Sequence, residues 1–500
     1  MSVRTRLRSA LEFVVWGILL GLAYGQAPLY TSNQNQYFLH GLAQAGQGLL
    51  AEDWLANTTD PTPVFTWLVV VTARYLPRAT FYFYYFLLFA VYIYSLHRIA
   101  NRFFEDRSRS TRWVFLSLIF ATHSAAMHVI LSRGVGGDWE YLFDGGFAGQ
   151  RLLGTVLQPS SFGVFLLLSV QQFLEDRPYR AVLAAALAAT VHPTYLMSAA
   201  VLTVAYLLVE LRAGKGFKRP VRIGGLALIL VLPVLAYSYS SFLPSEADAR
   251  EVLVHFRLPA HAVVSLWFGA TTVATAVLIG LAAYLVRDTQ LWPVLLISIA
   301  VGVALTSLQL LTGSDTLALL FPWRLSTYLA PISTAVLVAW FAAWLIERTG
   351  SRLAPIASVL VIVLSIFFGL AWMVIQDLQQ RITPERALFA QVAETARSGE
   401  TYAIPPNLQD FRLETGAPIL ADFKSIPYRR GEVISWHDRV RHLQWFYRAK
   451  IDCGLMENFV AEFGVTHMVL GPEQLGQNCP EMRETYNDGY YAIYQLEPLP

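Results

Sequence analysis

The chain has 500 residues, of which 55% are hydrophobic and only 14% charged, and its mean hydropathy is +0.45. An ordinary soluble domain carries about 25% charged residues, so this composition is that of an integral membrane protein. A formal net charge of +2 argues against nucleic acid as a partner and makes the placement of the positive residues the informative quantity.

The first apolar span, near 11–29, is preceded by Arg4, Arg6 and Arg8 in the manner of a signal peptide. It lacks a small-x-small cleavage site and further spans follow, so it reads as an uncleaved anchor. The segment Gln34 to Trp67 comes next and carries no Lys or Arg. It runs from a short amphipathic stretch (Tyr37, Phe38, Leu39, Leu42) through Glu52-Asp53-Trp54 to Asp60-Pro61-Thr62-Pro63 and back into apolar sequence. A loop of that kind lies along the membrane surface and holds its acidic groups at the lipid–water boundary. The apolar run 63–76 is short for a span and contains Arg74. It is expected to be an interfacial or re-entrant helix of the first outer loop, 30–78.

Further apolar runs fall near 79–97, 113–131, 154–173, 181–191, 195–211, 222–241, 263–286, 290–312, 326–346 and 354–376. The pair around His192-Pro193 is counted as two short spans because Pro193 would break one helix. The total is about eleven. Positive charge then sorts to alternate loops. One side holds Arg4, Arg6 and Arg8, the cluster from Arg98 through Arg107 to Arg112, Arg177, Arg180, the run Arg212 to Arg222 with Lys215, Arg287, Arg348 and Arg352. The other holds only Arg74, Arg78, Arg133, Arg151, Arg250, Arg257 and Arg324. The positive-inside rule puts the N-terminus in the cytoplasm and, with an odd span count, the C-terminal part outside.

From about residue 377 the composition becomes that of a soluble domain, with strand-like Thr401–Pro405, a helix-like run ending at Gly464, strand-like VTHMVLG and a final strand YYAIYQL. The domains are thus 1–376, polytopic and all-α, and 377–500, a small extracytoplasmic α/β domain. Its two cysteines, Cys453 and Cys479, read either as a disulfide in an oxidising compartment or as two free thiols, and the outward topology favours the disulfide. No metal-ligand cluster and no phosphate-binding Gly-rich loop is evident.

The first outer loop resembles that of the GT-C superfamily, the multispanning glycosyltransferases that use polyprenyl-phosphate-linked sugars. The nearest pattern is that of the lipid A aminoarabinose transferases and the protein O-mannosyltransferases. Asn33-Gln34 stands where that family has an acidic pair, Tyr37 matches its Tyr, Glu52-Asp53-Trp54 its Gly-Asp-Trp, and Asp60-Pro61 its charged residue before Pro. Pro322-Trp323-Arg324-Leu325-Ser326-Thr327-Tyr328 resembles the segment that opens a late span of the transferases. The segments QNQYFL, DPTPVF and FKSIPY are also similar to ones in a group of bacterial membrane proteins, a likeness that brings no activity with it.

The resemblance implies sugar transfer from a polyprenyl-phosphate carrier to a glycan, lipid or protein acceptor on the outer face of a bacterial inner membrane. Such a reaction needs a base, groups that neutralise the leaving phosphate, and an apolar groove for the lipid. Asp60 and Asp53 are the candidate bases. Asp53 would equally serve as a helix cap or surface carboxylate, and Asp60 as turn chemistry. Arg324 and His192 are the phosphate candidates; the alternatives are a snorkelling Arg and a histidine packed at a helix break. Gln34, Tyr37, Trp54 and Tyr328 are candidate substrate contacts, as are Asp138, Glu140 and Asp144 of a second outer cluster rich in aromatics. That cluster would equally suit an interfacial loop, and a divalent cation is conceivable there without a specific ligand spacing. Because Asn33-Gln34 cannot accept a proton, a non-catalytic component of envelope-glycan assembly is the alternative. A transporter or flippase is disfavoured, because the spans are nearly free of charge.

Overall fold

The computed structural model describes residues 3–103, 108–214, 216–242, 246–349, 352–448, 453–471, 473–474, 479 and 482–496, without the side chains of 3–10 and 455–459. Among the orienting charges, Arg107, Lys215 and the side chains of Arg4, Arg6 and Arg8 lie outside the described residues. The architecture is mainly helical, with one small sheet near the C-terminus.

Each expected span falls on an apolar helix. Among the described residues six helices are long and apolar enough to cross a membrane, fewer than the eleven spans expected: Thr80–Phe103, Pro193–Arg212, Lys218–Phe242, Leu291–Thr312, Asp315–Thr349 and Ala354–Arg381. A seventh is the pair Arg109–Thr122 and Ala125–Gly134, bent by 51°. Its second half starts where the Ser124 side chain accepts from the Met127 amide, which caps a new helix instead of extending the old one. Leu11–Tyr24, Pro159–Leu174, Pro178–Val191 and Ala270–Leu285 are shorter apolar helices of 10–17 residues. The break at His192-Pro193 is present: Pro178–Val191 ends there, and a short turn Pro193–Tyr195 leads into Leu196–Arg212.

By contacts the chain divides into two compact units. The first comprises residues 1–26, 81–239 and 253–374, hence most of the apolar helices. Its helices approach closely where side chains are small. A Cβ on Gly17 would lie 2.5 Å from Ala90, so the first helix and Thr80–Phe103 need glycine at that crossing.

The second unit comprises 27–80, 240–252 and 375–500. The loop 30–78, expected with the membrane domain, is therefore grouped with the C-terminal segment, because its buried polar side chains find their partners there. The apolar run 63–76 forms a helix, Pro63–Tyr75, with proline in its first turn. The sheet has strands β1 (Tyr402–Ala403), β2 (His467–Leu470), β3 (Met482–Asn487) and β4 (Ala492–Leu496) in the order β1-β2-β4-β3. β1 runs parallel to β2, and the other pairs are antiparallel. The helix Cys453–Phe463 ends at Gly464 (φ +64°) and feeds β2, as the helix–Gly–strand pattern implies. Leu388, Val392, Ile404, Phe411 and Val469 are fully buried in the core of this unit. Cys453 and Cys479 are disulfide-bonded.

Candidate functional site

In the first unit, the chain before the helix Ser326–Thr349 makes a tight turn. Phe321 takes a left-handed backbone (φ 47°), and Pro322–Leu325 form one turn of 3-10 helix. Non-glycine residues rarely adopt that conformation, and such strain persists where the surroundings enforce it. The turn presents Trp323 and Arg324. Trp323 packs against Phe147 (ring centroids 4.6 Å) and fills the space over Gly302. Arg324 donates from Nη1 to His192 Nε2 at 3.1 Å and lies 5.7 Å from the rings of both Tyr195 and Phe321. A guanidinium can only donate, so His192 Nε2 is the acceptor and the imidazole is neutral. Arg324 Nε and the Trp323 indole nitrogen are buried donors without a hydrogen-bond acceptor among the described residues. Such a donor costs about 1–3 kcal/mol, and two on consecutive residues are what an anion with several acceptor oxygens would relieve.

The segment with Asp138, Glu140 and Asp144 leads into residues that pack onto this turn and its helix. The Phe147 amide donates to Ser326 Oγ at 2.8 Å, and Thr334 Oγ1 donates to the Phe143 carbonyl at 2.6 Å. Asp138 is exposed and Glu140 half-buried. Asp144, expected to meet substrate, is instead 3% exposed. Its Oδ2 accepts from the Tyr24 hydroxyl at 2.9 Å, and His128 Nε2 lies 3.5 Å from its Oδ1. Burial alone would push this carboxyl up, but His128 and the Tyr24 hydroxyl bring it below the usual range. His123, bonded to the Tyr92 hydroxyl at 2.8 Å, and His128 are packed inside the helices. Tyr328 is corrected too: its hydroxyl donates to Ser298 Oγ at 2.7 Å in a fully buried helix contact and is closed to a substrate.

In the second unit, Asp53 is the largest correction. Its side chain is 0% exposed and its carboxylate is fully occupied. Oδ1 accepts from the amides of Leu55 (2.9 Å) and Ala56 (3.3 Å), and Oδ2 from Arg412 Nε (2.9 Å) and the Ile419 amide (3.0 Å). A carboxylate with four donors has no lone pair left for a substrate proton, so Asp53 is a structural anchor and not a base. Arg412 also donates to Asp422 at 2.8 Å, completing a buried Asp–Arg–Asp cluster that the sequence does not announce. Burial pushes the Asp422 carboxyl up although Arg412 pulls it down.

Asp60 Oδ1 accepts from the Thr62 amide at 2.8 Å, which is the turn chemistry that Asp-Pro-Thr-Pro implies. Its side chain is half-buried, unlike that of Asp53. Trp54 donates its indole N–H to the Leu420 carbonyl at 2.5 Å beneath Arg439 (4.4 Å), so its polar edge is used in packing. Gln34 is buried and accepts from the Tyr30 amide at 2.8 Å, whereas Tyr37 is half-buried. QNQYFL and FKSIPY lie against one another: Gln36 both donates to and accepts from the Ile426 backbone, and Ser425 Oγ donates to the Asn35 carbonyl at 3.2 Å. Asn35 donates to Asp410 at 2.5 Å. Among the described residues no group of three His, Cys, Asp or Glu could hold a metal ion.

A family model described as a domain of unknown function, DUF6798, matches residues 383–443, the stretch that contains Arg412, Asp422 and FKSIPY. No curated protein matches the sequence. Among solved structures, ArnT from Cupriavidus metallidurans bound to undecaprenyl phosphate is 12% identical, with 99% of this chain and 98% of that chain covered at a TM-score of 0.49. The apo state of the same protein gives 11% identity, the same coverage and a TM-score of 0.48. The role of each residue rests on this chain's own geometry.

Proposed function

We propose that this chain is a GT-C-like membrane glycosyltransferase whose Arg324 holds the phosphate of a polyprenyl-phosphate-linked sugar. The observation that carries the reading is the Trp323–Arg324 turn, where two buried donors lack acceptors among the described residues while a neutral His192 keeps the guanidinium in place. A phosphate oxygen accepts from such donors, and an arginine neutralises the charge that develops on it. In the step itself the acceptor hydroxyl loses its proton to a base and its oxygen bonds the anomeric carbon. The bond from that carbon to the phosphate oxygen breaks, and its electron pair leaves with the polyprenyl phosphate. With Asp53 committed to Arg412, Asp60 is the proposed base. The reaction would take place on the outer face of a bacterial inner membrane, with the N-terminus cytoplasmic and the C-terminal segment helping to bind the acceptor.

A second reading has its own support. In the loop where the resemblance expects acids, Gln34 and Asp53 are consumed by internal bonds, which suits a non-catalytic carrier-binding protein of envelope-glycan assembly. The test is incubation of the purified protein with undecaprenyl-phosphate-linked sugars, reading release of undecaprenyl phosphate. Release that falls at least tenfold in both Asp60→Asn and Arg324→Gln supports the transferase. Carrier binding without release from any donor supports the second reading.

A further inference from the structure

An open groove with a volume of about 340 Å³ lies in the second unit and has no part in the reading above. Its volume falls in the range of small-molecule sites. Three arginines line it, Arg78, Arg381 and Arg386, against two carboxylates, Asp377 and Glu414.

The carboxylates are both spoken for. Arg381 pairs with Asp377 at 2.8 Å one helical turn away. Arg386 pairs with Glu414 at 2.9 Å, donates from Nε to the Gln380 carbonyl at 2.9 Å, and Gln380 Nε2 adds a bond to Glu414 at 3.2 Å. Arg78 is the remaining cation, with no carboxylate in ion-pair range among the described residues. It lies 5.5 Å from the face of the Tyr30 ring.

Tyr30 is itself held in an unusual position. Its backbone is left-handed (φ 67°), and its amide is fixed by Gln34 Oε1 at 2.8 Å. Strain of this kind in a non-glycine residue is maintained by its surroundings and is common at ligand sites. Here it sets an aromatic face against the unmatched arginine. The position along the chain is also informative. Arg78 follows the helix Pro63–Tyr75, and Arg381 closes the apolar helix Ala354–Arg381. Both are points where the chain passes from apolar to polar sequence.

From this arrangement we infer a second anion site, in which Arg78, stacked on Tyr30, binds a phosphate group at the membrane boundary. The Arg386–Glu414 pair forms its wall, and the excess of one positive charge selects an anion over a zwitterion. The phosphate belongs either to a lipid head group or to a free phosphate compound.

The test is binding to the full chain in detergent, counted by native mass spectrometry, with dihexanoylphosphatidic acid, dihexanoylphosphatidylcholine and inorganic phosphate as probes. Wild type, Arg78→Gln, Tyr30→Leu and Arg324→Gln are compared after their melting temperatures have been checked. The inference expects saturable phosphatidic acid binding, weakened about tenfold in Arg78→Gln and weakened also in Tyr30→Leu, retained in Arg324→Gln, and absent for phosphatidylcholine. Phosphatidic acid binding that inorganic phosphate cannot displace assigns the site to a lipid; displacement at similar concentration assigns it to a free phosphate. Equal binding by wild type and Arg78→Gln, or equal binding of phosphatidylcholine, would overturn the inference. Because Arg324→Gln retains this site, a failure at Arg324 does not count as a failure here.

Discussion

Arg412 Nε meets Asp53 Oδ2 at 2.9 Å although the two residues are 359 positions apart in the chain. The same guanidinium reaches Asp422, so one cation joins two buried acids and ties the loop that carries Asp53 to the C-terminal segment. Removing one member of a buried ion pair leaves an uncompensated charge and typically costs about 3–5 kcal/mol. Arg412→Ala is therefore expected to unfold the second unit or lower its melting temperature strongly, and Asp53→Ala to do likewise. A well-folded Asp53→Asn that has lost only turnover would instead return Asp53 to the role of base.

Asp144 gives a milder expectation. Its carboxylate accepts from Tyr24 and lies buried beside His128. Asp144→Ala should destabilise the first unit by about 1–3 kcal/mol through the unsatisfied Tyr24 hydroxyl, read as a lower thermal midpoint in detergent. Retention of the wild-type midpoint with loss of sugar binding would mark Asp144 as a substrate contact after all.

The pH dependence has a definite sign at Asp410. Burial raises its carboxyl above the ordinary 3.8, although the Asn35 hydrogen bond pulls it down. A raised folded value means that the folded state holds its proton longer than the unfolded state. The contribution is fully present below the unfolded value and is lost as pH rises through the folded one. Asp410→Asn keeps an acceptor for Asn35 and removes the titration. The melting temperature of wild type should thus fall relative to that of the variant as pH rises from about 3.8. A constant difference between the two across that range would contradict this account.

The disulfide between Cys453 and Cys479 closes a sequence separation of 26. A link of that length stabilises by about 3 kcal/mol through loop entropy. Reduction, or Cys479→Ser, should lower the melting temperature of the second unit by several degrees without affecting lipid-phosphate binding at Arg324. An unchanged midpoint under reducing conditions would show that the link contributes little to folding.

What the sequence revealed, and what it hid, follows from the range of the interactions. The apolar helices were legible because their signal is local: each is a run of apolar residues, and the break at Pro193 is a property of proline itself. Arg324 was picked out by its place at the opening of a late span, whereas His192 and Tyr195, which lie against it, are far away in the chain. The role of Asp53 was hidden, because nothing near Glu52-Asp53-Trp54 announces Arg412 or the Ile419 amide. Tyr328 was misjudged because its partner Ser298 is on another helix. β3 was missed because Met482–Asn487 is mostly exposed and polar, without the alternation that marks a half-buried strand. QNQYFL and FKSIPY each stood out as motifs, but that they pack on each other could be read only from the structure.

The most direct test of the central claim is equilibrium binding of undecaprenyl phosphate to the purified full chain, wild type beside Arg324→Gln and Arg324→Lys. Loss of a charge-assisted phosphate contact is worth about 1.5–3 kcal/mol, or roughly 10–100-fold in Kd. Saturable binding to wild type, weakened by that factor in Arg324→Gln and less in Arg324→Lys, is the predicted result. Binding that is the same in all three proteins, or no stronger than that of a generic anionic lipid, would contradict a lipid-phosphate site at Arg324 and with it the transferase reading.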